Sequence, residues 1–234
     1  MESPAVVPRD QLALQQRCLQ LDPAFLAHSS PGEVLPALPV LVEESAAALG
    51  EGAGEAARRE HAALCRSVGA VLRQNGQHEP ALAHYDMDLE ITLALEGPEG
   101  LGVAVCYVNM GNVHLDMREH DRALELFDQA AAIFEAKDPG SVDLAGTYNN
   151  MATIYYYQED YGKSLEYMRK ALAINERVHG PRHPLTATSH HNMGDVFDEQ
   201  GAHAAALEAL GMALAVREQV FGPRSEAVGK TCEA

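Results

Sequence analysis

The sequence predicts an all-α chain, a solenoid of helix–turn–helix hairpins stacked one on the next. Two interval series and one compositional fact point there. The strings Asn109-Met110-Gly111, Asn150-Met151-Ala152 and Asn192-Met193-Gly194 recur at steps of 41 and 42 residues, and Ser67-Val68-Gly69 is a weaker copy 42 residues before the first. The pairs Gly97-Pro98, Asp138-Pro139, Gly180-Pro181 and Gly222-Pro223 recur independently at steps of 41, 42 and 42. Two markers in step with one another identify an internal repeat. Ala and Leu are abundant, Trp is absent and aromatics make up only 6% of the 234 residues, a balance that favours helix over strand.

Each unit carries two amphipathic segments. In the second unit these run from about Val103 to Met117 and from His120 to Ala136. Gly76, Gly201 and the polar pairs Arg118-Glu119 and Glu159-Asp160 mark the tight turn between them. The Gly-Pro or Asp-Pro pair ends the second helix, and Pro184 fits the first turn of the next one, where a missing N–H costs nothing. The expected organisation is an N-terminal extension over 1–55, four repeats within 56–222 (about 58–97, 98–138, 139–180 and 181–222) and the start of a truncated fifth over 223–234. In the extension, Glu33 to Leu49 reads as a helix interrupted near Pro36 and Pro39, either covering the outer face of the first unit or mobile.

Small residues recur at one position of the first helix (Gly69, Gly111, Ala152, Gly194) and one of the second (Ala81, Ala123, Ser164, Ala206). Two helix backbones approach closely only where no bulky side chain intervenes. A large residue follows in the second helix (Tyr85, Phe127, Met168, Leu210), and then Ala130, Ala171 and Ala213, with Asp88 departing from the pattern in the first unit. This pattern resembles the tetratricopeptide repeat. The long period and the junction "NERVHGPRHPLTA" are similar to the kinesin light chain type. The resemblance implies a right-handed superhelical solenoid and a protein-interaction scaffold that takes a peptide or protein segment in its concave groove.

The stretch "HGPRHPLTATSHHNMGD" gathers four histidines within seventeen residues, 179 to 195. The repeat register argues against a metal centre. His190 aligns with Cys65, Tyr107 and Tyr148; His114 aligns with Leu72, Tyr155 and Phe197; and His78, His120 and His203 align with Tyr161. These five imidazoles are expected to pack as aromatic rings do. His183, before Pro184, is expected to fix a helix entry, which leaves His179 and His191 less well explained. His78 and His84 are six residues apart, not the four that a zinc-protease helix needs, and Gly162-Lys163-Ser164 lacks the upstream glycine of a phosphate loop. No catalytic constellation or cofactor is expected.

The candidate binding face lies beside the buried stripe of each first helix, at positions four and three apart. It comprises Arg66, Ala70 and Arg73, then Val108, Asn109, Asn112 and Leu115, then Asn149, Asn150, Thr153 and Tyr156, then His191, Asn192, Asp195 and Asp198. Tyr156 and Tyr157 are expected either to offer aromatic contact of the hot-spot kind or to pack between units. A mid-helix asparagine is neither a strong helix former nor a good core residue, and its amide both donates and accepts. Asn109, Asn150 and Asn192 are therefore expected either to hold a ligand main chain or to tether the neighbouring repeat. Arg66 and Arg73 at one end, against Asp195, Asp198 and Glu199 at the other, predict a partner segment that is acidic towards the first unit and basic towards the fourth.

Bulk properties exclude other classes. A formal charge of −17 repels phosphate backbones, which argues against nucleic acid. Cysteines at 18, 65, 106 and 232 form no C-x-x-C and suit a reducing, cytoplasmic setting. The longest apolar stretch, VLPALPVLV, is too short to span a bilayer, and the first eighteen residues do not read as a signal peptide. The fragmentary fifth unit leaves apolar residues such as Leu207 and Leu210 uncovered, so self-association through that end is a further expectation. A regulatory portion of a larger multidomain protein is the alternative, with a metal-dependent enzyme a distant third.

Overall fold

The structure, a computed structural model, describes residues 37–48, 54–222, 225 and 231. The expectations for residues 1–36 and for most of the fifth unit lie outside these. The described residues form helices and turns, with no strand among them. The chain divides into two compact units, residues 1–113 and 114–234.

The first unit holds α1 (Ala37–Ala48), α2 (Glu55–Gln74), α3 (His78–Glu96) and most of α4 (Leu101–Asp116). Residue 39 lies in the first turn of α1, where proline removes only a donor that has no intrahelical partner, so the helix is not interrupted there. Helix α1 packs on α2. Its Leu38 and Val42 join Leu64, Cys65, Val68 and Leu72 of α2, Ala81 and Tyr85 of α3 and Val113 of α4 in one buried cluster. Each such aliphatic side chain contributes about 1.5–3 kcal/mol on burial. Ser45 Oγ lies 2.9 Å from His61 Nδ1 and ties α1 to α2 through a polar contact as well.

The second unit begins in the last turn of α4. It continues through α5 (His120–Lys137), α6 (Val142–Tyr157), α7 (Tyr161–His179), α8 (Pro184–Glu199) and α9 (His203–Phe221). Each helix packs on its sequence neighbour from α5 to α9. Ala152, Leu165, Met168, Met193 and Val196 form its central cluster, with Tyr156, Tyr161, Tyr167, Leu172 and Phe197 packed around them.

The small residues lie at the closest approach of paired helices. A Cβ added at Gly69 would stand 2.8 Å from Tyr85 Cε1, and one added at Gly194 would stand 2.7 Å from Leu210 Cγ. Ser164, the small residue on the second-helix side of its own hairpin, donates from Oγ to the Ala152 carbonyl at 2.9 Å. A hydroxyl is tolerated there because the neighbouring backbone supplies an acceptor.

The tight turn within a hairpin is the same in all four pairs. After α2, Gln77 N–H bonds Leu72 C=O and Gly76 N–H bonds Arg73 C=O, both at 2.9 Å. The pairs Glu119→His114 and Arg118→Leu115, Asp160→Tyr155 and Glu159→Tyr156, and Ala202→Phe197 and Gly201→Asp198 repeat this Schellman geometry. Gly76 and Gly201 take φ of 72° and 73°, while Arg118 and Glu159 adopt 61° and 60° without being glycine. That conformation costs an ordinary residue about 1–2 kcal/mol. Helix entry is also side-chain directed. Ser141 caps α6, Asp160 caps α7, and His183 Nδ1 accepts from Leu185 N–H to cap α8 ahead of Pro184.

Asp88, which departs from the repeat pattern, is fully buried where the other units bury Ala130, Ala171 and Ala213. Arg66 reaches it with two bonds, Nε to Oδ2 at 2.7 Å and Nη2 to Oδ1 at 3.0 Å. Thr92 Oγ1 and Cys106 Sγ also donate to it, each at 3.2 Å. Burial, then the Asp88 charge, pushes the Cys106 thiol up to about 12 and Cys65 up to about 11. Both thiols therefore stay protonated at neutral pH, and Cys106 retains the S–H with which it donates.

These contacts predict three outcomes. Gly69→Ala forces a methyl group against a rigid, buried ring, so denaturant unfolding should show a loss of about 1–3 kcal/mol. Arg66→Ala strands the Asp88 carboxylate and should cost about 3 kcal/mol, whereas Asp88→Ala should cost less, because the Arg66 side chain is 36% exposed and can turn to water. Burial holds His61 and His84 below the ordinary histidine range. Protons then favour the unfolded chain, so the contribution of these two residues is intact above that range and is lost as pH falls through it. The urea midpoint should drop between about pH 7.5 and about pH 5.5, and His84→Gln should flatten the drop.

Candidate functional site

On α6, residues 153, 156 and 157 share one face, being three and four positions apart, and 192, 195 and 196 do the same on α8. The structure sets these faces side by side. Thr153, Tyr156 and Tyr157, Met168 of α7, and Asn192, Asp195 and Val196 line a cleft of about 220 Å³. A second cleft of about 450 Å³ adjoins it, lined by Leu115, Asp116, Arg118, His120, Thr153 and Tyr157. Thr153 and Tyr157 belong to both. Tyr157 is 61% exposed and stacks on His120 with ring centres 5.8 Å apart.

Four of the sequence-predicted residues, Thr153, Tyr156, Asn192 and Asp195, thus meet in one cleft. Tyr156 donates its hydroxyl to Glu199 Oε1 at 3.3 Å. Burial, followed by the Glu199 charge, raises Tyr156 above the ordinary phenol range. Burial also raises Asp195 above the ordinary carboxyl range; His191 and Arg217 oppose the shift and Asp198 adds to it. His191 Nε2 stands 3.8 Å from Asp195 Oδ2. Asp198 lies outside the lining and is bonded to His203 Nδ1 at 2.8 Å. Asn149 and Asn150 are half-buried on α6, and Asn149 C=O accepts from Thr153 Oγ1.

In the first unit, Arg73, Val108, Asn109 and Asn112 are half-buried on α2 and α4. Arg66 is committed to Asp88, so one of the two arginines expected at the cationic end of the face is taken up by a buried carboxylate. Tyr157, named with Tyr156 for aromatic contact, lines both clefts, while Met168, Val196, Asp116, Arg118 and His120 line them without having been among the candidates. Arg118 carried a readable signal, since it stands where the repeat elsewhere has Gly76 and Gly201.

The histidines mostly follow the packing expectation, with one correction. His114, His78, His120 and His190 are partly buried, but the His203 side chain is 75% exposed and pairs with Asp198 instead of filling space. His179 stacks on His183 at 4.4 Å, which gives it the neighbour the sequence left unassigned. Among the described residues, no group of three or more His, Cys, Asp or Glu stands placed to hold a metal ion. No helix among them is long and apolar enough to cross a membrane.

Comparison with known proteins agrees with this architecture. No curated protein matches the sequence significantly. Among solved structures, BtubC (BKLC) from P. vanneervenii aligns at 19% identity, covering 93% of this chain and 91% of its own, with a TM-score of 0.64. A kinesin light chain-like protein of Podosopora anserina, built of nearly identical TPR-like repeats, aligns at 18% identity over 96% of this chain and 100% of its own, with a TM-score of 0.69. Aspartyl phosphate phosphatase F from Bacillus subtilis aligns at 14% identity and a TM-score of 0.75, over 96% of this chain and 60% of its own. At these identities the likeness shows a shared fold. The tetratricopeptide repeat pattern itself matches residues 59–136 and 143–219, so the chain belongs to the tetratricopeptide repeat family, whose domains generally serve as protein-interaction modules and are typically non-catalytic.

Proposed function

We propose that this protein is an interaction scaffold that holds an extended or helical segment of a partner protein against the first-helix faces of its second unit. The observation that carries this reading is the pair of adjoining clefts sharing Thr153 and Tyr157. A continuous depression of this kind suits a chain segment better than a compact metabolite. Asn192 in its wall offers an amide able to donate to and accept from a ligand main chain whatever its side chains. The exposed Tyr157 ring is of the type enriched at binding hot spots.

Panning a displayed 12-residue peptide library on the full chain, followed by fluorescence anisotropy with the selected peptides, tests the reading. Tyr157→Ala and Thr153→Arg should each weaken binding about tenfold or more while leaving the melting temperature unchanged. Selected peptides that bind both variants as tightly as the wild type would place recognition on another surface and overturn the proposal.

A further inference from the structure

We propose that the cleft between α6 and α8 is a seat for one basic side chain, lysine or arginine, of the bound segment. This rests on the interaction-face reading above and assigns it a charge preference. At about 30 Å³ per water, the 220 Å³ volume holds about seven waters, the bulk of a single long side chain.

Its lining supplies what a cation with an aliphatic stem needs. Met168 and Val196 offer apolar contact for the methylenes. Tyr156 and Tyr157 stand edge to face, 5.9 Å apart at 63°, so that a ring face is presented beside a ring edge. Asp195 is the one charged residue among the seven described residues that line the cleft, and it is acidic. Its partial desolvation strengthens its attraction for an incoming cation. Glu199, held by the Tyr156 hydroxyl, and Asp198 add negative charge close by.

Positive groups do act on this site. His191 and Arg217 both pull on Asp195, and His203 pairs with Asp198. Neither His191 nor Arg217 lines the cleft, and Arg217 donates to Thr231. Elsewhere in the same unit the chain's own lysines settle on tyrosine rings beside carboxylates. Lys163 Nζ lies 4.9 Å from the Tyr155 ring centre while pairing with Asp160, and Lys170 Nζ lies 4.7 Å from Tyr167 while pairing with Glu166. The α6–α8 cleft has the same ring-and-carboxylate chemistry, with no lysine or arginine among the described residues that line it. The adjoining cleft differs, since Arg118 and His120 share its wall with Asp116. The expected ligand therefore carries one basic residue at a fixed place and is not uniformly basic.

The peptides selected above provide the probe. Those retained by the wild type should show Lys or Arg enriched at a single position. Replacing that residue by norleucine, or replacing Asp195→Asn in the protein, should each weaken binding about tenfold, and combining the two should cost little more. Glu90→Gln, which removes the same charge from the first unit, should leave affinity unchanged, and thermal melting of each variant checks its fold. Peptides that lose affinity with Tyr157→Ala but show no basic position, or that ignore Asp195→Asn, would overturn the cation seat and leave the interaction face standing. Peptides indifferent to both Tyr157 and Asp195 would overturn both.

Discussion

The structure depends on the close approach of the two helices of each hairpin. At that contact one helix must present almost nothing, so that the other can lay a ring or a branched side chain directly on its backbone. Gly69 under Tyr85 and Gly194 under Leu210 show the requirement in its strictest form, since even a methyl group would collide. Ser164 shows its tolerance, for a hydroxyl fits when it returns a hydrogen bond to the Ala152 carbonyl. With the hairpin closed, the faces of its helices turned to the next pair are fixed in register, and stacking follows by repetition.

Asp88 shows how far one unit can depart from the shared plan. Its repeat equivalents bury a methyl group at no polar cost. Asp88 instead buries a carboxylate, which is tolerable only because Arg66, Thr92 and Cys106 all donate to it. The network holds α2, α3 and α4 together through directional bonds and absorbs Arg66, one of the two arginines expected to make that end of the face cationic. Packing claims the Arg66 side chain because the carboxylate has no access to water.

In the second unit the balance runs the other way. Ala152, Leu165, Met168, Met193 and Val196 form the core cluster; Tyr156 packs at its edge, and Tyr157, Asn192 and Asp195 stay outside it. What remains on the face is a set of rings and polar groups around open space. The histidine-rich junction serves this geometry from below. His183 accepts a backbone N–H and starts α8 at a defined angle, and His179 packs on it. Imidazoles there act as a cap and as a stacked ring, roles that use one lone pair and one aromatic face.

The sequence by itself determined the repeat, its period, the helix pairs and the small-residue contact, because these are local and recur: one 41–42-residue interval in two independent marker series leaves little freedom. It also placed Thr153, Tyr156, Asn192 and Asp195 on one kind of helical face, since helical spacing alone fixes which side chains share a side. Only the tertiary structure decided that these four meet in a cleft, that Arg66 is consumed by Asp88, that His203 stands in solvent and that Arg118 lines the adjoining cleft. Those facts turn on distances between residues tens of positions apart, and on which groups water can reach. A periodic pattern states which face a residue occupies; it does not state what stands opposite.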